Sequence, residues 1–302
     1  MKKRKKAMTI LILVLCVLLA AFAVFAFWLP GLVMTGERQT LDEAFAWQSE
    51  HYDTSFYEGL EKTTYTVAGF EGYTLHAELL KNPTPTSGYI ILSHGYTDNR
   101  MGSLKYVKMY LDLGFDCIVY DLRGHGENAP DFTTYGVREA KDLICLIDDA
   151  RARFPDLQVL GLHGESLGAA TTLTALQYQP KVDFVVADCG FSDIENVLRE
   201  GSHMPPFILD AADFAGRLRY HYSLKAMRPI DALDENTIPI LFLHGADDAF
   251  ILPKNSQDMA ARTKGYQELH LIPGAGHAES ILTAPELYQE YVQAFLNTVL
   301  NP

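Results

Sequence analysis

Residues 157–176 read LQVLGLHGESLGAATTLTAL. Leu157, Val159, Leu160 and Leu162 are apolar enough for a buried strand, and Ala169 to Leu176 are apolar enough for a helix. The joint between them, Gly164-Glu165-Ser166-Leu167-Gly168, is what decides the fold. A serine hydroxyl is a weak nucleophile unless one turn presents it to a base and to oxyanion donors together. A sharp strand-to-helix bend does this if the positions two before and two after the serine carry no side chain that would strike the neighbouring strand and helix. Gly164 and Gly168 meet that condition and put Ser166 at the tip of the turn.

Outward from this stretch the chain alternates. Short apolar runs at 89–95 (YIILSHG), 115–121 (FDCIVYD), 157–164, 183–190 (DFVVADCG), 238–245 (IPILFLHG) and 267–274 (QELHLIPG) read as strands. TTYTVAG and YTLHAELL, joined by Phe70-Glu71-Gly72, read as an antiparallel pair ahead of them. Helical stretches lie between most strands, such as Arg138 to Phe154 with Ala140, Leu143, Ile144 and Ile147 on one stripe, and Glu286 to Leu300 ends the chain. Strands too uniformly apolar to have a wet face, separated by helices, predict an α/β fold: a mostly parallel eight-stranded sheet with helices on both faces. Ligand sites in such sheets lie beyond the strands' carboxyl ends. Phe191 to Leu233 interrupts the alternation, is broken by Pro205-Pro206, and is expected to form a helical cap over the sheet at about 191–233.

Two further clusters follow strands. His244-Gly245-Ala246-Asp247-Asp248-Ala249-Phe250 comes after the penultimate strand and Pro273-Gly274-Ala275-Gly276-His277 after the last. His277, in a glycine-flexed loop, is the expected base for Ser166, and Asp248 the expected group to hold its ring and stabilise the imidazolium.

The ordered motifs SHGYTDN, DLRGHG, GESLG, LHGADDAFILP and PGAGHAES give the sequence a resemblance to the α/β-hydrolase superfamily, over roughly Leu60 to Leu300. It most resembles the bacterial membrane-anchored branch near the serine aminopeptidases and monoacylglycerol lipase-like hydrolases. The resemblance implies the α/β-hydrolase fold and an acyl-enzyme mechanism. It implies an acid four residues after the histidine of the HG pair, which selects Asp248 over its neighbour Asp247 and over Asp188 at an earlier strand end. It also implies oxyanion donors in the backbone N–H groups of Leu167 and of Tyr96, the residue after His94-Gly95. Amides fixed at a helix start and in a tight loop stabilise developing negative charge without reorganising.

Other residues have plainer readings. Asp121, Arg123 and His125 tie down a loop by hydrogen bonds. His94 and His244 shape loops; His163 and Glu165 flank the nucleophile, and Glu165 near a helix start is explained by the helix dipole. No HxxxH or HExxH spacing supports a metal, no glycine-rich phosphate loop follows the first strands, and no cofactor is expected. Cys117, Cys145 and Cys189 sit in apolar contexts and read as free core cysteines.

The N-terminus stands apart. Lys2, Lys3, Arg4, Lys5 and Lys6 precede an apolar run from Ala7 to Leu29 that would span about 35 Å as a helix, enough to cross a bilayer core of roughly 30 Å. With the cations on the cytoplasmic side and Pro30 ending the span, the remainder would lie outside as a single-pass membrane protein. The alternative is secretion after cleavage at Ala21-Phe22-Ala23. The expected organisation is therefore a basic stub and transmembrane anchor (1–30), a juxtamembrane helical segment (31–59) whose helix from about Leu41 is opened by a Thr40/Glu43 capping box, and a hydrolase domain (60–302). Setting aside the five leading cations leaves 20 basic against 38 acidic residues, a formal charge of −18, which repels nucleic acid and excludes it as a partner.

The expected activity is a serine hydrolase of a small-molecule carboxylic ester, with a short peptide or a thioester as alternatives on the same machinery. Within the cap, Met204, Pro205, Pro206, Phe207, Ile208, Leu209, Phe214, Tyr220 and Tyr222 either line a pocket or form the cap's own core; Phe207, with Phe250 after the penultimate strand, is a candidate substrate-binding residue. A reading from another class, a membrane-tethered binding protein without turnover, is not favoured while Ser166, Asp248 and His277 all stand intact.

Overall fold

The computed structural model describes residues 2–202 and 205–300, so Met204 lies outside the described residues. Helices α1 (Lys2–Met34), α2 (Leu41–His51) and α3 (Ser55–Gly59) precede strands β1 (Lys62–Ala68), β2 (Thr74–Leu80) and β3 (Gly88–Ser93). Then come α4 (Leu104–Asp112), β4 (Phe115–Tyr120), α5 (Val137–Arg153), β5 (Val159–Glu165), α6 (Leu167–Ala175) and β6 (Phe184–Asp188). The chain continues through α7 (Ile194–Ser202), α8 (Pro206–Tyr220), β7 (Ile240–Gly245), α9 (Lys254–Arg262), β8 (Gln267–Ile272), α10 (Ser280–Thr283) and α11 (Pro285–Leu300).

The eight strands form one sheet in the order β1-β2-β4-β3-β5-β6-β7-β8. The pairings β1–β2 and β2–β4 are antiparallel and the rest are parallel, giving the α/β-hydrolase fold. Alternate residues serve two cores: Ile91, Leu162, Val185 and Phe242 face one, while Ile90, Leu92, Val186, Leu241 and Leu243 face the other. Burying each such side chain contributes about 1.5–3 kcal/mol, and a one-residue slip would exchange the two sets, so the register is firmly specified. The turn between β1 and β2 needs left-handed backbone, which Glu71 (φ 59°) and Gly72 (φ 73°) supply. Helix α2 opens with the expected capping box: Glu43 N donates to Thr40 Oγ1 at 3.3 Å, and Thr40 N to Glu43 Oε2 at 2.8 Å.

Helix α1 does not stop at Pro30, as the sequence suggested, but runs on to Met34. Pro30 removes one backbone donor, yet Leu29, Pro30 and Met34 are buried, and Pro30 packs against α8 at Gly216. Tertiary packing outweighs the local break. Earlier in the helix most side chains are exposed and apolar, and Arg4–Met34 is long and apolar enough to cross a membrane. The cap between β6 and β7 consists of α7, α8 and two short 3₁₀ turns. Its core contains Phe191, Ile194, Val197 and Met227, and both Met34 from α1 and Ala170 from α6 pack into it.

Candidate active site

Ser166 occupies the single residue between β5 and α6, with φ 53° and ψ −111°. That conformation costs a non-glycine residue about 1–3 kcal/mol and persists only where the surroundings enforce it. Here they do. A Cβ at Gly164 would overlap the backbone of Gly168, and one at Gly168 would overlap the carbonyl of Ser93 at the end of β3. The Ser166 amide also donates to the Asp188 carbonyl at 2.9 Å, tying the bend to β6.

The loops after β7 and β8 bring two groups to this bend. His277 Nε2 lies 3.0 Å from Ser166 Oγ, and His277 Nδ1 lies 2.7 Å from Asp248 Oδ2. A carboxylate only accepts, so Nδ1 carries the imidazole proton and Nε2 presents its lone pair to the hydroxyl. Asp248 is itself fixed: its Oδ1 accepts the amides of Phe250 at 2.9 Å and Ile251 at 2.8 Å, and His244 Nε2 stands 3.2 Å from Oδ2. Burial alone would raise the Asp248 pKa, but hydrogen bonds from His244, His277 and the Ile251 amide outweigh it and hold the carboxyl well below its ordinary range. His244 is held in turn by Ser256 Oγ at 2.7 Å and the Ile251 carbonyl at 2.8 Å.

The competing acids stand elsewhere. Asp247 is exposed. Asp188 is fully buried under the bend, where Tyr106 and Tyr288 hydroxyls donate to it at 3.1 and 3.0 Å, and burial foremost pushes its pKa up to about 6. Asp121 binds the amides of Arg100 and Glu127, and Arg123 is paired with buried Asp142 at 2.7 Å. His125 spans the carbonyls of Arg123 and Tyr96. His94 accepts the Leu122 amide at 2.9 Å, and burial lowers its pKa to about 3.

Gly95, Tyr96, Ser166, Leu167 and His277 share the wall of one cleft of about 840 Å³. The amides of Tyr96 and Leu167 have no hydrogen-bond acceptor among the described residues, and Leu167 opens α6, where helix amides point outward. Phe250 lines the cleft and sets its ring edge-on to His277, centroids 5.0 Å apart. Phe207 does not belong to that wall: it is exposed and packs on Phe22 of α1, 6.1 Å between rings. Of the other cap residues, Leu209 is buried against α1, while Phe214 is exposed.

Several cleft residues were given no role in the site by the sequence. Leu32 and Val33, from the last turns of α1, join Phe191, Ile194, Val197 and Leu198 in an apolar part of the wall. Asp98, Lys105, Glu165 and Glu279 are polar members. Lys105 and Glu165 form a buried ion pair, and although burial alone would lower the Lys105 pKa, Glu165 keeps it above its ordinary value. Burial pushes Asp98 up to about 6. The partners Lys105 and Glu165 lie far apart in sequence, so no local pattern announces them.

Comparison with known proteins agrees with this architecture. The model of the prolyl oligopeptidase family matches residues 102–302. Uncharacterized protein YqkD of Bacillus subtilis (strain 168) is 31% identical over 250 residues, covering 80% of this chain and 82% of that protein. Protein ABHD12B of Homo sapiens is 28% identical over 175 residues, covering 53% of this chain and 45% of its own. Among solved structures, the Pyrococcus furiosus esterase Pf2001 superposes with a TM-score of 0.67 at 19% identity, covering 82% of this chain and 96% of the esterase. Est1E from Butyrivibrio proteoclasticus gives 0.62 at 20%, covering 79% and 99%.

Proposed function

The chain belongs to the prolyl oligopeptidase family and is a serine hydrolase, and from that premise we propose that it cleaves a carboxylic ester through an acyl-Ser166 intermediate. The observation that carries the proposal is the 3.0 Å contact between Ser166 Oγ and a His277 whose other nitrogen is held by Asp248. Ser166 attacks the ester carbonyl while His277 Nε2 takes its proton. The tetrahedral oxyanion is received by the amides of Tyr96 and Leu167. His277 returns the proton to the departing alcohol, then activates a water that releases the acid and restores Ser166. Asp248 keeps the imidazole in the productive tautomer throughout.

The apolar wall from Leu32 to Leu198 supports an acyl group as the part of the substrate bound beside Ser166. A second reading is cleavage of a short peptide, supported by the family itself and by Asp98 and Glu279, which suit a substrate amino group. A fluorophosphonate probe should label the wild type at Ser166 and fail on Ser166→Ala; equal labelling of both would end the proposal. Chain-length series of p-nitrophenyl esters beside aminoacyl p-nitroanilides then separate the two substrates.

The same proposal keeps α1 as an uncleaved anchor, its five leading cations inside and the hydrolase domain outside. Its support is that Arg4–Met34 is long and apolar enough to cross a membrane and that Phe22, ahead of the alternative cleavage point, packs on Phe207 of the cap. A mature chain beginning at Val24 would overturn this topology.

A further inference from the structure

Helix α8 leaves Phe207, Phe214 and Leu218 exposed by 61%, 57% and 61%. With Ala211 they fall at i, i+4, i+7 and i+11, a continuous stripe on one face of the helix. Two phenylalanines and a leucine on one stripe form an apolar patch of the kind that marks a contact surface.

The place of α8 identifies what it meets. The helix lies alongside α1 and runs in the same direction: Phe207 packs on Phe22, Gly216 faces Pro30, and the Arg219 guanidinium sits 5.6 Å from the Phe27 ring centre. The neighbouring surface of α1 is apolar and exposed as well, through Val24, Phe25, Phe27 and Trp28. The two surfaces are continuous.

We propose that the Phe207–Leu218 stripe is inserted in the outer leaflet of the membrane that α1 crosses, as a second point of contact beside the anchor. This rests on the topology proposed above. From the Arg219 level, at Phe27 to Gly31, down to Phe22 is five to nine residues of α1, or about 8–14 Å of depth, comparable to the roughly 5–10 Å at which amphipathic helices lie. Arg217 and Arg219 fall in the last turn of α8, at headgroup level. Of the acidic residues, Asp210 borders the stripe, three residues after Phe207 and four before Phe214, and is paired with Arg199 at 2.9 Å, while buried Asp213 accepts Ser223 Oγ at 2.8 Å. The cleft's apolar end lies close by, since Val33 and Leu198 line both the cleft and a small apolar cavity walled by Leu29, Pro30 and Leu209.

The test uses the full chain in a Cys16→Ser, Cys145→Ser background, reconstituted in phosphatidylcholine vesicles carrying spin-labelled acyl chains. A nitrobenzoxadiazole label is placed in turn at Phe207→Cys, Phe214→Cys and Leu218→Cys, with Leu13→Cys reporting α1 and Tyr178→Cys reporting the domain surface. Each variant must first unfold as cooperatively as the wild type. Quenching at all three α8 positions at least about twofold above that at Tyr178→Cys is expected. Quenching at Leu13→Cys with none on α8 overturns the proposal and leaves the anchor standing. Absence at Leu13→Cys too overturns both and identifies the anchor as the premise that failed. Cross-linking of two chains through Phe214→Cys without lipid quenching overturns the proposal in favour of a second copy on the stripe.

Discussion

The Tyr96 hydroxyl donates a 2.8 Å hydrogen bond to the Val33 carbonyl, joining the loop after β3 to the last turn of α1 across 63 residues of sequence. The Gly36 amide donates to the same hydroxyl at 2.8 Å, and His125 Nε2 holds the Tyr96 carbonyl at 2.6 Å. A candidate oxyanion donor is therefore positioned from two sides.

Tyr96→Phe removes both hydroxyl bonds, to the Val33 carbonyl and from the Gly36 amide, while leaving the Tyr96 backbone amide in the chain. Stability should fall by about 1–3 kcal/mol, at about 0.5–1.5 kcal/mol for each of the two bonds. Because the donor is then less well aimed at the transition state, kcat should drop by about three- to tenfold with KM little changed. Steady-state kinetics and thermal unfolding check both.

Asp248→Asn replaces the acceptor at His277 Nδ1 with a group able to donate, which favours the tautomer carrying its proton on Nε2. Turnover should fall about 10⁴-fold while the fold survives. Asp247→Asn alters an exposed side chain and should leave kcat/KM within about twofold. Comparable losses in the two variants would remove Asp248 from its assigned role.

Stability should depend on pH in a way Asp98 reveals. Its folded pKa of about 6 lies above the unfolded value of about 3.9, so the native state binds the extra proton between them and gains stability as pH falls from about 6 to 4. Buried His94, His125 and His163, lowered to about 3, act oppositely, since unfolding lets them protonate below about pH 6.5. Asp98→Asn isolates one contribution: the variant should melt above the wild type near pH 7, and the difference should vanish by about pH 4. Thermal melts across that window measure it.

Gly168→Ala drives a methyl group into the Ser93 carbonyl. The clash should cost about 3 kcal/mol and displace Ser166, abolishing fluorophosphonate labelling in whatever protein remains folded. Gly59→Ala is the control, because the added carbon meets nothing within 4 Å, and its melting temperature should be unchanged or slightly higher.

The sheet was legible because its strands repeat one local signal, an apolar run ended in most cases by glycine, and β3 to β8 fall within those runs to within one residue. Ser166, Asp248 and His277 could be named because each sits in a loop after such a run, and the three lie within hydrogen-bond reach. Residues whose role depends on a distant partner were not legible. Pro30 reads as a stop until α8, nearly two hundred residues later, packs against it at Gly216. Phe207 reads as pocket lining because composition does not say which side of a cap helix faces inward. Lys105 becomes notable only beside Glu165.

The last turns of α1 close one side of the cleft and pack into the cap's core. Where a protease cuts then decides what it releases: a break ahead of Leu29 leaves the wall on the domain, whereas one after Met34 takes Leu32 and Val33 out of the binding chamber. By the same token, exchanging anchors between relatives would succeed only if residues 29–34 travelled with the domain they enclose.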